Sequence, residues 1–401
     1  MERLPGGAGS RPLPRGWRWA QLGEIADYLN GRAFKPDEWR TAGLPIIRIQ
    51  NLNSQTAPFN FFGGRVDVDH EVQDGDLLIS WSASLEAFIW NRGPAVLNQH
   101  IFKVVENRKV VTRQYLYLAV RNAMAEIRER VHGATMRHIT KPEFEAIQVP
   151  LAPLDQQLHI TAIVMEQMAV VERARVAAET QLEAAGAMPS AYLRKLFDSA
   201  EAQSWERKRV RDIAECSSGA TPARDRAEYF GGTIPWVKTG ELKDDLIERT
   251  EEYVTEAALR ETSLRLLPAG TLLVAMYGQG QTRGRTGLLA EPATTNQACF
   301  AILPNPAEFD PAYLQLWFRY SYLRIRGHSE GRGGNQPNLN GVLLGSEEVP
   351  LPPVEQQRRV VDVAETGIGA GEIVRKAVSQ EIEALGALPG ALLRRAFSGE
   401  L

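Results

Sequence analysis

The chain has 401 residues, of which 44% are hydrophobic and 24% charged, the balance of a folded, water-soluble protein with two or three domains. It has no apolar run near the roughly eighteen residues of a membrane span, and its N-terminal stretch MERLPGGAGSRPLPRGW lacks a signal peptide's apolar segment, so we expect a cytoplasmic protein. Two cysteines are too few for a disulfide framework, and a formal net charge of -3 means that any nucleic-acid-binding face must be local.

Residues 1–148 predict an α/β globule, which we call the first globule. Apolar patterning indicates a strand at 76–80 and a helix at 112–131. The region holds 19 Lys and Arg residues against 16 Asp and Glu.

Residues 149–200 predict a helical region. The phrase VPLAPLDQQLHI joins a strand-like end to a helical pattern, because each proline disfavours helix in the residue before it. A helix is expected from about 156 to 185, with Gly186 able to cap it and Pro189 able to start another. Its apolar residues follow helical spacing: Ile160, Val164, Met168, Val171, Ala174, Ala178, Leu182 and Ala185.

Residues 201–348 predict a second α/β globule, with a strand at 271–275 and a helix at 311–326. This second globule holds 17 Lys and Arg residues against 20 Asp and Glu. Several of its phrases echo the first globule. IPWVKTGEL parallels LPIIRIQNL, TNQACF parallels LNQHIF, and YLQL parallels YLYL. The two globules are therefore predicted to share one plan.

Residues 349–401 repeat the helical region, beginning with VPLPPVEQQRRV and aligning without a gap after a shift of 200 residues. The apolar stripe recurs as Val360, Ala364, Ile368, Gly371, Val374, Val378, Ile382 and Leu385. Gly367, Gly369 and Gly371 cost about 1 kcal/mol each relative to alanine, so this helix is expected either to kink or to press tightly on a partner through Gly371.

The predicted architecture is α/β (α+β), two globules alternating with two long helices. Two matching stripes in one chain most simply bury each other as an antiparallel coiled coil, which would make a pseudo-twofold dimer within one polypeptide. The alternative is that each helix packs only on its neighbouring globule.

The alternation of globule and repeated helix, the phrase VPLPPVEQQ and the closing LLRRAFSGEL resemble the specificity subunit of type I restriction-modification systems over essentially the whole chain. The resemblance implies that 1–148 and 201–348 are target recognition domains, each reading half of a bipartite double-stranded DNA sequence. It also implies that 149–200 and 349–401 are spacer helices that bind two methyltransferase subunits, with restriction subunits joining the complex. S-adenosylmethionine, ATP and Mg would then be bound by those partners.

Candidate DNA contacts in the second globule are polar side chains among glycines. Gln can pair with adenine, Arg with guanine, and Lys or Thr with phosphate. The alternative is that these polar, glycine-rich loops only connect secondary-structure elements. The candidates are Thr221, Arg224, Lys238, Thr239, Tyr277, Gln279, Gln281, Arg283, Arg285, Arg332, Asn335, Gln336 and Asn338.

The first globule offers the same chemistry in LNGRAFK, RIQNLNSQ and HGATMRH. Its candidates are Asn30, Arg32, Lys35, Arg48, Gln50, Asn51, Asn53 and Arg137.

Motifs for catalysis are missing from the sequence. It has no G-x-x-x-x-G-K-[ST] loop and no H-E-x-x-H pattern, and its proline pair at 352–353 is not preceded by the Asn or Asp of an amino-methyltransferase. We therefore expect a non-catalytic subunit that binds no cofactor or metal. Two alternatives stay open, an enzyme with an unrecognised active site and a solitary two-headed DNA-binding adapter or regulator without a methyltransferase partner.

Overall fold

The structure, a computed structural model, describes residues 12–81, 85–130, 140–278, 280–330 and 338–401. The chain divides into two compact units, residues 1–179 with 380–401 and residues 180–379. Each unit therefore combines one globule with segments of both long helices.

The first unit is a mixed α/β structure. Its strands are β1 Arg18–Gln21, β2 Ala26–Asn30, β3 Trp39–Arg40, β4 Leu44–Ile47, β5 Asn60–Phe62, β6 Glu71–Val72, β7 Leu77–Ser80, β8 Glu86–Ile89, β9 Ala95–Leu97, β10 Ile101–Glu106 and β11 Gln148–Leu151. Its helices are α1 Leu22–Ile25, α2 Ile49–Asn53, α3 Arg113–Arg130, α4 Lys141–Glu145 and the first part of α5 Leu154–Phe197, with 3-10 turns at Pro36–Glu38 and Val68–His70.

Two sheets form the first globule. One has the order β2-β10-β7-β8 with antiparallel neighbours, and the other has the order β3-β5-β4-β9-β6, in which β4 and β9 run parallel. Strand β7 is buried along its whole length, as its apolar sequence LLIS predicts. Tyr28, Phe102 and Phe144 pack against each other beneath α3, with the rings of Tyr28 and Phe144 edge to face at 4.9 Å.

The second unit repeats this composition. Its strands are β12 Arg207–Arg209, β13 Cys216–Ser218, β14 Phe230–Val237, β15 Asp245–Ile247, β16 Glu252–Val254, β17 Leu272–Ala275, β18 Thr286–Leu289, β19 Thr294–Thr295, β20 Cys299–Ile302 and β21 Glu348–Pro350. Its helices are α6 Ala200–Ser204, α7 Val210–Ile213, α8 Glu256–Glu261, α9 Pro311–Tyr320, α10 Tyr322–Glu330, α11 Gly341–Gly345 and the first part of α12 Val354–Ser398, with 3-10 turns at Ala227–Tyr229 and Thr239–Glu241.

Its sheets have the orders β13-β20-β17-β18-β15 and β16-β14-β19, and β14 and β19 are parallel like β4 and β9. The predicted helix at 311–326 is two helices, because α9 ends at Tyr320 and α10 starts after Ser321. Helix α9 begins as its sequence predicts, with Pro311 in the first turn and the Asp310 carboxylate accepting the backbone N–H of Ala312 at 3.0 Å.

Both long helices run further than predicted. Helix α5 passes through Gly186 and Pro189 to Phe197, so the predicted helix end at Gly186 is wrong. Helix α12 likewise passes through Pro389 to Ser398. A proline inside a helix costs about 3 kcal/mol. Burial of Leu193 and Phe197 in the second unit's core offsets that cost, since each fully buried large apolar side chain contributes about 1.5–3 kcal/mol.

The helices pack together within each unit. In the first unit Ile160 and Val164 of α5 share a core with Leu393 and Phe397 of α12. In the second, the end of α5 shares a core with Val361 and Ala364 at the start of α12. The beginning of one helix thus lies beside the end of the other, which confirms the predicted antiparallel pairing.

The glycine cluster of α12 lies in this contact. Gly367 and Gly371 are buried, a Cβ on Gly367 would overlap the ring of Tyr192, and a Cβ on Gly371 would lie 3.3 Å from that of Met188. Helix α12 continues through all three glycines. Of the two predicted consequences, tight apposition is therefore the one observed.

The Gln-Gln pair that recurs in VPLAPLDQQLHI and VPLPPVEQQRRV joins each globule to its long helix. Gln157 is buried, accepts the backbone N–H of Thr112 at 2.8 Å, and donates to the carbonyls of Val110 and Ala152, both at 2.8 Å. Gln357 repeats the arrangement in the second unit with Asp310, Glu308 and Pro352. One amide thus satisfies three backbone groups at each junction, which explains why the phrase occurs twice.

Candidate nucleic-acid interface

The candidate residues of the first globule gather where parallel strands β4 and β9 end. The backbone N–H of Asn98 donates to Ile47 at 3.1 Å, and that of Arg32 donates to Leu97 at 2.8 Å. Gly31 allows this approach, because a Cβ there would overlap the carbonyl of Asn98. Residues 30–35, 48–53 and 97–100 are thereby brought together, and we call them the first strand-end surface.

The second globule repeats this construction at the ends of β14 and β19. Asn296 donates to Val237 at 3.0 Å, and Ala220 donates to Thr295 at 2.9 Å. Gly219 has the same close approach as Gly31, since a Cβ there would overlap the carbonyl of Thr295.

The loop after β17 joins the same edge. Met276 donates to Ala298 at 2.8 Å and accepts from Leu339 at 3.1 Å, which brings Asn338 alongside. Residues 219–224, 238–244, 276–278, 280–285, 295–298 and 338 form the second strand-end surface. The structure therefore assembles segments that the sequence proposed separately.

Two candidate arginines of the first surface are held by aromatic rings. Arg32 pairs with Glu38 and lies 4.8 Å from the ring centroid of Phe34. Arg48 donates to the side chain of Asn60 at 2.9 Å and lies 5.1 Å from the ring centroid of Trp39.

The pKa of Glu38 is held below its usual range by the backbone N–H of Lys35 and then by Arg32. This carboxylate therefore stays charged at neutral pH and fixes Arg32.

The other candidates of the first globule divide by exposure. Asn30, Lys35, Gln50 and Asn53 are exposed, and Arg137 lies outside the described residues. Asn51 is buried, and its amide accepts the backbone N–H of Arg48 at 3.1 Å while donating to the carbonyl of Pro58 at 3.1 Å. Asn51 therefore holds the loop together, with its amide bonded inside the globule.

Acidic partners surround two candidate cations of the second surface. Arg224 donates to Glu252 at 2.6 Å, and Lys238 lies 2.8 Å from Glu252 and 2.9 Å from Glu251. The pKa of Glu252 is lowered by hydrogen bonds from Arg224 and then Lys238, and that of Lys238 is raised by Glu252 and then Glu251. These four side chains balance in charge, so phosphate would compete with the carboxylates for Lys238.

Thr239 lies half-buried beside Lys238, and Thr221 bonds the side chain of Gln297. Tyr277 and Asn338 are exposed. The candidates Gln279, Arg332, Asn335 and Gln336 lie outside the described residues.

The loop 276–285 presents its two arginines differently. Arg283 is only 7% exposed, so it lies within the loop packing and not on its surface. Arg285 places Nη1 3.2 Å from Asp244 Oδ2, and its Nη2 donates to Gln281 Oε1 at 3.1 Å. Of the two, Arg285 is the more accessible, with its side chain 32% exposed.

Sequence reasoning missed three kinds of residue at these surfaces. Gln99 and Gln297 occupy equivalent places in the two globules, and the shared Asn-Gln pair of LNQHIF and TNQACF could have indicated them. Tyr322 and Arg326 of α10 bond backbone carbonyls of loop 276–285, a role that no local motif announces. Asp244 was missed because it lies in an acidic stretch.

Two kinds of feature are absent from the described residues, a metal-binding cluster and a membrane-spanning helix. There, no three His, Cys, Asp or Glu side chains are grouped so that they could hold a metal ion. None of the described helices combines the length and apolar character needed to cross a membrane.

Comparisons with known proteins agree with this construction. The model of the family described as type I restriction modification DNA specificity domain matches residues 14–169 and 202–384. The MjaIX specificity subunit of Methanocaldococcus jannaschii is 32% identical over 164 residues, which are 40% of this chain and 37% of that protein. The EcoBI specificity subunit of Escherichia coli is 22% identical over 413 residues, covering 96% of this chain and 86% of that one.

Two solved structures share the fold. A chain from a study of complex assembly and conformational transition of the type I R-M system has a TM-score of 0.78 at 17% identity, covering 98% of this chain and all of that one. The HsdS subunit of Thermoanaerobacter tengcongensis has a TM-score of 0.63 at 17% identity, covering 98% and 99%.

Proposed function

The chain belongs to the type I restriction-modification DNA specificity family, and from that premise we propose that it recognises a bipartite double-stranded DNA sequence and directs methyltransferase and nuclease subunits to it. The observation that carries the proposal is the strand-end surface built twice. Equivalent backbone contacts support Arg32 and Arg48 in one globule and Ala220 and Lys238 in the other. Two similar backbone arrangements that carry different side chains are suited to two DNA half-sites of different sequence.

The long helices are the proposed docking elements for two methyltransferase subunits. Leu158 and Val176 of α5 and Ile373 of α12 are exposed apolar side chains, and Ile373 is 72% exposed. A protein partner docked on the helices would cover these side chains. Restriction subunits would join the complex, and S-adenosylmethionine, ATP and Mg would be bound by the partners.

An exchange of globules tests the bipartite recognition. Replacing residues 1–148 by the equivalent region of a relative with a different target should change one half of the methylated sequence and leave the other intact. The matched control replaces residues 201–348 and should change the other half. Methylation mapping in cells that carry the partner subunits gives both results, and a simultaneous change of both halves would contradict independent recognition.

The helices are also proposed to set the gap between half-sites. Inserting seven residues near Ala174 and near Val374 keeps the apolar stripes nearly in phase and lengthens each helix by about 10 Å. The preferred gap should then grow by roughly three base pairs at about 3.4 Å each. Selection from DNA with fixed halves and a variable gap measures this, and an unchanged gap in a variant that still binds would exclude the helices as the ruler.

A further inference from the structure

Asp244 has an unusual backbone conformation. Among the described residues it is the one non-glycine residue with positive φ, at 65°. Residues other than glycine, asparagine and aspartate seldom adopt a positive φ, and such backbone conformations concentrate at functional sites. Asp244 lies on the second strand-end surface, directly before β15.

Its contacts show what this conformation achieves. The backbone N–H of Asp244 donates to the carbonyl of Thr286 at 2.8 Å, and Oδ1 accepts the N–H of Thr286 at 2.9 Å and its hydroxyl at 3.0 Å. Two of these bonds hold the carboxylate and the third holds the backbone of Asp244. The second oxygen, Oδ2, lies 3.2 Å from Nη1 of Arg285.

Arg285 is held from a second side by Gln281, whose Oε1 accepts from Nη2 at 3.1 Å. A guanidinium carries five N–H groups, two on each terminal nitrogen. One partner on each terminal nitrogen leaves one N–H on each. A bidentate contact with O6 and N7 of guanine uses two such donors.

The loop that carries Arg285 is itself braced by α10. The hydroxyl of Tyr322 donates to the carbonyl of Gln281 at 2.6 Å, and Arg326 donates to the carbonyls of Gly280 at 3.0 Å and Arg283 at 2.9 Å. The backbone on one side of Arg285 is therefore tied to a helix.

We propose that Asp244 is a positioning residue that orients Arg285 to read a guanine in one half of the DNA target. This inference rests on the proposed function and names the base that this part of the surface recognises. A guanidinium fixed before binding loses less conformational freedom on meeting the base, so its contact discriminates more strongly.

Competition binding tests the proposal on the full chain with its partner subunits at fixed salt, with DNA varied one position at a time through both halves. Arg285→Ala should reduce preference for guanine at one position by about 5- to 150-fold, the equivalent of about 1–3 kcal/mol. Asp244→Asn, which keeps an oxygen for Thr286 and tolerates positive φ, should reduce preference at the same position. Asp245→Asn removes the same charge one residue away and should leave all preferences unchanged.

Asp244→Gly provides a second variant if the asparagine protein does not fold, because glycine accepts the backbone conformation. Thermal unfolding of each variant separates recognition from stability. Loss of stability with every base preference intact would make the Asp244–Arg285 pair a loop closure only and overturn the proposal. So would loss of preference for a base other than guanine. A parent complex without any sequence preference would instead refute the proposed function itself.

Discussion

Gln157→Met is the substitution that most directly tests how the globule is joined to the helix. Methionine has nearly the same length as glutamine but can neither donate nor accept the three bonds that Gln157 makes with Thr112, Val110 and Ala152. A buried polar group left without a partner costs about 1–3 kcal/mol. Three such groups therefore set a range of about 3–9 kcal/mol, and entry of water moves the result toward the lower end.

We expect Gln157→Met to lower the free energy of unfolding of the first unit by about 3–5 kcal/mol. Urea unfolding gives the magnitude, and amide hydrogen exchange gives the location, since protection should fall around residues 108–116 and 148–160. Gln156→Met is the matched control. Gln156 is exposed and accepts one bond from Trp17 at 2.8 Å, so its loss should cost less than about 1 kcal/mol.

The second unit supplies an internal repeat of the experiment. Gln357→Met should reduce protection around residues 306–316 and 348–360, with Gln356→Met as its control. If Gln157→Met proves as mild as Gln156→Met, and Gln357→Met as mild as Gln356→Met, the buried amides do not hold the junctions and our account of the repeated phrase is wrong.

Two further substitutions probe the helix contact and the second surface. Gly367→Ala should destabilise the second unit by about 1–3 kcal/mol because its Cβ would overlap Tyr192. Gly369→Ala, whose Cβ would have no other atom within 4 Å, should stabilise the unit by up to about 1 kcal/mol. Urea unfolding of both variants checks that the two changes have opposite signs. Glu252→Gln removes one of the carboxylates that pair with Lys238, so DNA affinity should rise at low salt and the slope of log affinity against log salt should steepen by about one. Titrations at several salt concentrations measure the slope. An unchanged slope would show that Lys238 does not contact phosphate.

The sequence predicted the fold where its signals were local and repeated. Strand β7 and helix α3 fall within one residue of their predicted bounds, and the antiparallel helix pair follows from two matching apolar stripes. The helix ends were mispredicted because Gly186 and Pro189 are strong local terminators. Their effect is overcome by burial of Phe197 against the rings of Tyr313, Trp317 and Tyr320, which lie more than a hundred positions later in the sequence.

The candidate site was predictable by segment but not by side chain. Several segments chosen by residue type converge in the structure, because polar residues and glycine follow the ends of the parallel strands in both globules. Burial of Asn51 and Arg283 depends on how each loop folds back on itself, which a short pattern does not encode. The charge of Lys238 is balanced by Glu252, which lies on the neighbouring strand β16.

In both strand-end surfaces, sterics fix the glycines at the close backbone approaches, whereas the lengths of the neighbouring segments differ. Gly31 and Gly219 are fixed by steric need, since a side chain at either position would overlap a carbonyl of the adjoining loop. Strands β7 and β8 are separated by five residues of sequence, whereas β17 and β18 are separated by ten, and Tyr322 and Arg326 tie this longer segment to α10. The strand-end contacts are between backbone groups, so substitutions and changes of loop length beyond them can alter the surfaces while the core is kept. Such a separation is what the proposed function requires, because two half-sites of different sequence need two surfaces with different side chains on similar frames.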